Sequence, residues 1–288
     1  MKQPRLLLAT SLYLLVAIVT AQSIQWVKHY GTNNVYVSGF KLATAPDGSI
    51  YGTGAVEDGA IDFDGNSSPV LGDRDIIVAK WDSNGVNQWV RTVGGVPVQD
   101  DWDRGELIQY EPVSDRIIVT GTYNSQVDFG CAQFSEQNDH RSIFMAAYEP
   151  DGTCAWARTI RAAAIFSDYL ISDSQGGLYW FGASILGSPE FVGASSITIP
   201  SGAFVARYNS EGTLLSARRL VNFGSINGAA WIDSTHWLLS VAAVQGAALL
   251  GADLDISNTS GGVIASIDTS GSVDWFQTYE GTTGEGNG

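Results

Sequence analysis

Residues 76–95 read IIVAKWDSNGVNQWVRTVGG. Ile77, Ala79 and Trp81 alternate with Val78, Lys80 and Asp82, the period of two that marks a strand with unlike faces. Asp82-Ser83-Asn84-Gly85 is turn chemistry, because Asn-Gly accepts the positive φ that a tight hairpin needs. Trp89 stands four residues beyond Gly85, and Arg91 follows it. The device returns three times: Gly152 with Trp156 and Arg158, Gly212 with Ser216 and Arg218, and Gly271 with Trp275. The glycines are spaced 67, 60 and 59 residues apart. A fixed period of that size is the mark of a repeat protein.

Each repeat carries four strand signals. The first repeat, about 31–93, has them at 40–44, 49–56, 75–81 and 86–93. The second, about 94–160, has them at 107–110, 116–123, 142–148 and 154–160. The third, about 161–220, has them at 168–172, 178–183, 203–208 and 214–220. The fourth, about 221–279, has them at 229–232, 237–243, 263–267 and 272–279. No segment holds a 3.6-residue period, so almost no helix is predicted. Four-stranded antiparallel units in series, each unable to bury its faces alone, predict an all-β fold of the β-propeller kind. Trp89, Trp156 and Trp275 fall on the outer strand of each blade, where an indole joins one blade to the next. Ser216 takes that place in the third repeat, so its junction is expected to pack less well.

The repeated pattern resembles the SBBP repeats of secreted bacterial β-propeller proteins. It is carried by Asp47-Gly48-Ser49-Ile50-Tyr51 with Gly54, by Asp128-Phe129-Gly130, by Val78-Ala79-Lys80-Trp81-Asp82 with Val205-Ala206-Arg207-Tyr208-Asn209, and by Trp156-Ala157-Arg158. The likeness runs from Gln25 onward. It implies the propeller fold and names no ligand, since fold does not fix function. The fourth repeat departs most: Asp233-Ser234-Thr235-His236-Trp237 lacks the turn glycine. The hairpin also resembles the Asp box of sialidases and the quinoprotein repeat. The Asp box places its Trp three residues after the glycine, not four. The quinoprotein repeat has a Thr before that glycine, and those enzymes carry a vicinal cysteine pair; neither is present here.

The chain opens with Lys2 and Arg5, an apolar run over 6–19, and small residues ending at Ala21. That is the plan of a cleavable secretory signal, 1–21, and the run is short for a membrane span. A secreted or cell-surface address is expected, with no stable membrane span after cleavage. Losing Lys2 and Arg5 takes the formal charge from −15 to −17, with 13 basic against 30 acidic residues. Such a surface repels nucleic-acid phosphates and anionic membranes. Glycine is abundant at 33 and charged residues make up only 16%, which fits many short strands and tight turns. Cys131 and Cys154 fall 23 residues apart in one repeat. They read either as a disulfide in an oxidising compartment or as two small buried residues.

Motifs for chemistry are sparse. No nucleophile elbow, phosphate loop or His-Glu-x-x-His is present, and His29, His140 and His236 lie far apart. No catalytic residue and no resident cofactor is assigned. Acids offer the one metal candidate. Asp62, Asp64, Asp73 and Asp101 sit in long-loop segments, with carboxylates at alternate positions as in calcium loops. The plainer reading of the same residues is solvated acidic loops. Gly85, Gly152, Gly212 and Gly271, with the three tryptophans, are assigned structural roles.

The functional expectation is a non-enzymatic binding module for an unknown protein or glycan ligand. The alternative is an extracellular, glycan-active hydrolase or lyase on the same scaffold. Residues 22–30, with Trp26 in register 63 residues before Trp89, read as an extra outer strand. Residues 280–288 read as a loop toward a further blade, so the four repeats are expected to belong to a larger ring.

Overall fold

The computed structural model describes residues 26–28, 36–95, 103–124, 126–136, 141–192, 196–254, 256 and 260–279. The expected signal segment, the 280–288 tail and Asp101 lie outside them. Every regular element among the described residues is a β-strand. Among the described residues, no helix is long and apolar enough to cross a membrane.

The chain takes one path four times: two long strands, a small hairpin, two long strands. The first unit is β1 (Tyr36–Thr44), β2 (Ile50–Glu57), the hairpin β3 (Ala60–Phe63) and β4 (Asn66–Pro69), then β5 (Arg74–Trp81) and β6 (Asn87–Val93). The second is β7 (Arg104–Glu111), β8 (Arg116–Asn124), β9 (Gln126–Asp128), β10 (Gln133–Ser135), β11 (Arg141–Tyr148) and β12 (Cys154–Arg161). The third is β13 (Ala164–Ser172), β14 (Leu178–Leu186), β15 (Glu190–Phe191), β16 (Ile197–Thr198), β17 (Gly202–Tyr208) and β18 (Leu214–Val221). The fourth is β19 (Gly224–Trp231), β20 (His236–Val244), β21 (Ala248–Leu249), β22 (Ala252–Asp253), β23 (Ser260–Asp268) and β24 (Val273–Tyr279). In each unit the four long strands form an antiparallel meander in chain order, as in β1-β2-β5-β6.

The small hairpins tie neighbours together. β15 pairs with β12 through Ile160 opposite Phe191, and β21 pairs with β18 through Val221 opposite Leu249. Asp128 N–H, at the end of β9, donates to Gly94 O just past β6. The hairpin of each later unit therefore leans on the last strand of the unit before it. The β3–β4 hairpin leans on its own β6 instead, where Asn66 Nδ2 donates to Asn87 O at 2.9 Å. A disulfide between Cys131 and Cys154, Cα atoms 5.5 Å apart, fastens the β9–β10 loop to β12.

Middle strands are apolar on both sides because a sheet lies on either side of them. β11, RSIFMAAY, is buried from Ser142 to Tyr148. Such continuous runs are what a strand without a wet face requires. The core is three layers between consecutive sheets. Tyr51, Val78 and Trp89 meet Val119, Phe144 and Tyr148. Ile118, Met145 and Trp156 meet Trp180, Phe204 and Tyr208. Tyr179, Phe181 and Val205 meet Trp237, Leu239 and Ala265. A fourth, smaller cluster of Val56, Phe63, Ile77 and Trp81 covers the other side of the first sheet. The first strands lie side by side in chain order, β7 against β1, β13 against β7 and β19 against β13. Among the described residues, no comparable contact runs from the fourth unit back to the first.

The joints repeat one geometry. The Trp89 indole lies on Gly152 of the next unit, and its Nε1–H donates to Pro150 O at 3.0 Å. Trp156 lies on Gly212 and donates to Ser210 O at 2.9 Å. Each glycine is doubly required. Gly152 and Gly212 have φ of 83° and 69°, and a Cβ would stand 2.8 Å and 2.5 Å from an indole carbon. At the third joint Ser216 supplies nothing. Arg218 replaces it, covering Gly271 and donating to Ser270 O and Thr269 O. That joint is therefore not loose. Trp275, expected to join its blade to the next, is 50% exposed against 8% for Trp89 and 6% for Trp156; among the described residues no further turn covers it. Of the expected extra strand, 22–30, only residues 26–28 are described; they carry no strand pairing, yet Trp26 lies on Gly85 as the other indoles lie on their glycines. The turn that lacks glycine is held by Asp233, which accepts from Thr235 N and His236 N.

Candidate functional site

The polar residues that stand out lie where the first strands meet. Each first strand slips register against its neighbour at the same place: between Ser38 and Lys41, Gly105 and Leu107, Ser167 and Tyr169, and Ile226 and Gly228. The residues left unpaired are Gly39-Phe40, Glu106, Asp168 and Asn227. A bulge re-aims a side chain out of the ladder's alternation. The facing strand makes room for it. A Cβ on Gly54 would lie 2.5 Å from Ser38 O, and one on Gly182 would lie 2.5 Å from Phe166 O. Gly121 meets Arg104 O in the same way. In the first three units the repeated glycine of the second strand thus permits the bulge.

Glu106 is held by Arg104, whose Nε donates to it at 2.8 Å, and its side chain is 16% exposed. Burial raises its carboxyl above the usual range, while Arg104 and Arg141 oppose that shift. Asp168 Oδ2 accepts from Ile226 N at 3.2 Å, crossing from β13 to β19. Burial pushes Asp168 up to about 7, the Ile226 N–H opposes this, and the charge of Glu106 adds to the rise. β13 is fixed beside this pair: Thr120 Oγ1 lies 2.8 Å from Ser167 Oγ, and Trp180 Nε1 donates to Ser167 Oγ at 2.9 Å. Asn227, exposed, follows Ile226 on β19. Two carboxyls both raised by burial, beside Arg104 and Arg141, can donate to and accept from ligand hydroxyls.

Of the acids named from sequence, Asp62 and Asp64 make contacts of their own. Asp62 Oδ1 accepts from Gly65 N at 2.9 Å, within the β3–β4 turn. Asp64 pairs with Lys28 at 3.0 Å and accepts from Asn87 N. Asp73 is exposed. Among the described residues, no group of three or more His, Cys, Asp or Glu side chains is placed to hold a metal. Asp75 and Asp103 are fully buried and hold backbone: Asp75 accepts from Gly72 N, and Asp103 accepts from Asn124 N. Glu106 and Asp168 were missed by sequence reading. The signal that could have found them is a carboxylate at matching places in two repeats, opposite the repeated glycine.

Grooves run along the outer rim at the joints. One of about 620 Å³ is lined by Lys80, Gln88, Trp89, Arg91 and Asp151. The next, of about 650 Å³, is lined by Phe134, Arg158, Tyr208 and Leu214. An apolar pocket of about 310 Å³ opens on the free side of the first sheet, among Trp26, Phe40, Leu42, Phe63 and Trp81.

Compared with known proteins, the chain matches no protein-family model. No curated protein matches it either.

Proposed function

We propose that this chain is a secreted or cell-surface binding module of the β-propeller class, of the SBBP-like kind, which captures a protein or glycan ligand without transforming it. The radial arrangement is supported by four like sheets packed face to face with their first strands adjacent. The binding role is carried by one observation: the bulges that place Glu106, Asp168 and Asn227 at one level on three neighbouring strands. Repetition of a re-aimed polar residue at the meeting line of the units is costly to sheet pairing, and bulges of this kind cluster at functional sites. Secretion is supported by the sequence of residues 1–21, and the disulfide is consistent with an oxidising compartment. The mature chain is expected to begin at Gln22, which N-terminal sequencing of the exported protein reads directly.

The test of binding is a glycan and protein array probed with the wild type and with Asp168→Asn, beside a hydrolase and lyase panel. The expected result is a retained ligand, about tenfold or more weaker binding in the variant, and no turnover. Binding indifferent to Asp168→Asn would move the site elsewhere. A second reading, glycan cleavage, is favoured by Asp168, which burial pushes up to about 7, since a carboxyl still protonated near neutrality can serve as a general acid. Turnover abolished by Asp168→Asn would establish that reading over the first.

A further inference from the structure

The joints define two kinds of sheet face. Each trailing face carries the outer-strand indole or Arg218, and each leading face carries the turn that receives it. Three trailing faces meet three leading faces within the chain, and each meeting fills with apolar side chains. Among the described residues, one face of each kind has no neighbouring sheet against it. The trailing face of the fourth sheet exposes Leu238 (38%), Trp275 (50%) and Tyr279 (51%). The leading face of the first sheet holds the pocket lined by Phe40, Leu42 and Trp81. Among the described residues the two leftover faces do not meet as the others do, and the receiving turn of the first unit is occupied. Trp26 Nε1 donates to Ser83 O at 3.1 Å, and a Cβ on Gly85 would lie 2.7 Å from its indole. These are the contacts Trp89 makes with Pro150 and Gly152. Trp26 is thus a stand-in for the indole of a preceding unit. It is 37% exposed and belongs to no strand, so it is held less firmly than the indoles it imitates.

We propose that the trailing face of the fourth sheet is an interaction surface for a second copy of this chain. The copies join head to tail, with Trp275 of one displacing Trp26 from the Gly85 turn of the next. Both halves of the interface are on one chain, and three internal joints demonstrate that such halves fit. Contact between unlike faces is heterologous, so it propagates or closes into a ring rather than stopping at a two-fold dimer. Trp26 acts as an internal competitor that sets the concentration at which copies join. This inference rests on the packing of the joints and is independent of the ligand reading at Asp168.

Sedimentation velocity across a wide concentration range tests it, with the wild type, Trp275→Ser and Trp26→Ser. Self-association is expected in the wild type. It is expected to weaken about tenfold or more in Trp275→Ser and to strengthen by a similar factor in Trp26→Ser. Trp275 is exposed in the monomer, so an unchanged melting curve for Trp275→Ser confirms that the loss is one of contact and not of folding. A monomer at every concentration in both the wild type and Trp26→Ser overturns the proposal. So does association that ignores either substitution. A monomer whose Trp275 is shielded from acrylamide also overturns it, because that means the fourth unit closes on its own chain. Ligand capture on the array is read separately, so either proposal can fail alone.

Discussion

Trp89 and Trp156 do the same work at successive joints, filling the space over a positive-φ glycine and giving up their one polar hydrogen to a turn carbonyl. Trp→Ala at either is expected to cost about 3–5 kcal/mol, as for other large buried side chains. Trp275→Ala is expected to cost under about 0.5 kcal/mol, the range for surface substitutions. Urea unfolding of the three variants measures the contrast directly. Sequence spacing found all three residues, because the distance from glycine to tryptophan is a local property. It could not separate Trp275 from the others, because burial there depends on whether another turn arrives. Arg218 was read only as part of the strand pattern; that a guanidinium can replace an indole over Gly271 is a matter of reach, which spacing does not encode. Asp168 gives a second test at this scale. Its folded pKa, about 7, lies above its ordinary value of 3.8, so the folded chain holds the proton more tightly. Its contribution to stability is therefore full below the ordinary value and lost as pH rises through about 7. Asp168→Asn cannot ionise, and its melting temperature is expected to fall less than the wild type's across that window.

The long strands were legible as elements because each alternates or runs apolar between turn residues, as β5 and β6 do around Asp82-Ser83-Asn84-Gly85. Their first strands begin earlier than read: β7 starts at Arg104, not at 107, and β13 at Ala164, not at 168. The reason is the bulge, which breaks the period of two and hides the residues before it. The same break hid Glu106 and made Asp168 look like the start of its strand, so the candidate site was illegible for the reason that makes it a site. Small hairpins such as β15–β16 were read as loop, since two-residue strands carry no period; they form because the last strand of the preceding unit offers an unpaired edge. The β9–β10 hairpin has the disulfide as well. Cys131→Ser with Cys154→Ser is expected to lower stability by about 2–4 kcal/mol, on the model in which a cross-link restricts the unfolded chain. Calorimetry under oxidising and reducing conditions checks this: the wild type should drop on reduction and the double variant should not move.

As a whole the molecule is a row of sheets, each held chiefly by its neighbours, so its stability is expected to be unequal along the row. The second and third sheets are covered on both sides, and β8, β11 and β14 are buried over most of their length. The fourth sheet is covered on one side only, and no residue of β24 is buried. Opening β24 exposes little new apolar surface, whereas opening β11 disrupts the layers on both of its sides. Amide exchange measured at a concentration where the chain is monomeric is therefore expected to be slowest in β8, β11 and β14 and fastest in β24. Raising the concentration gives the sharper comparison. If a second copy covers the trailing face, exchange in β24 slows with concentration while β11 stays unchanged, and Trp275→Ser removes the dependence. If β24 is as protected as β12 in the dilute monomer, its outer side is already covered and the row does not end there.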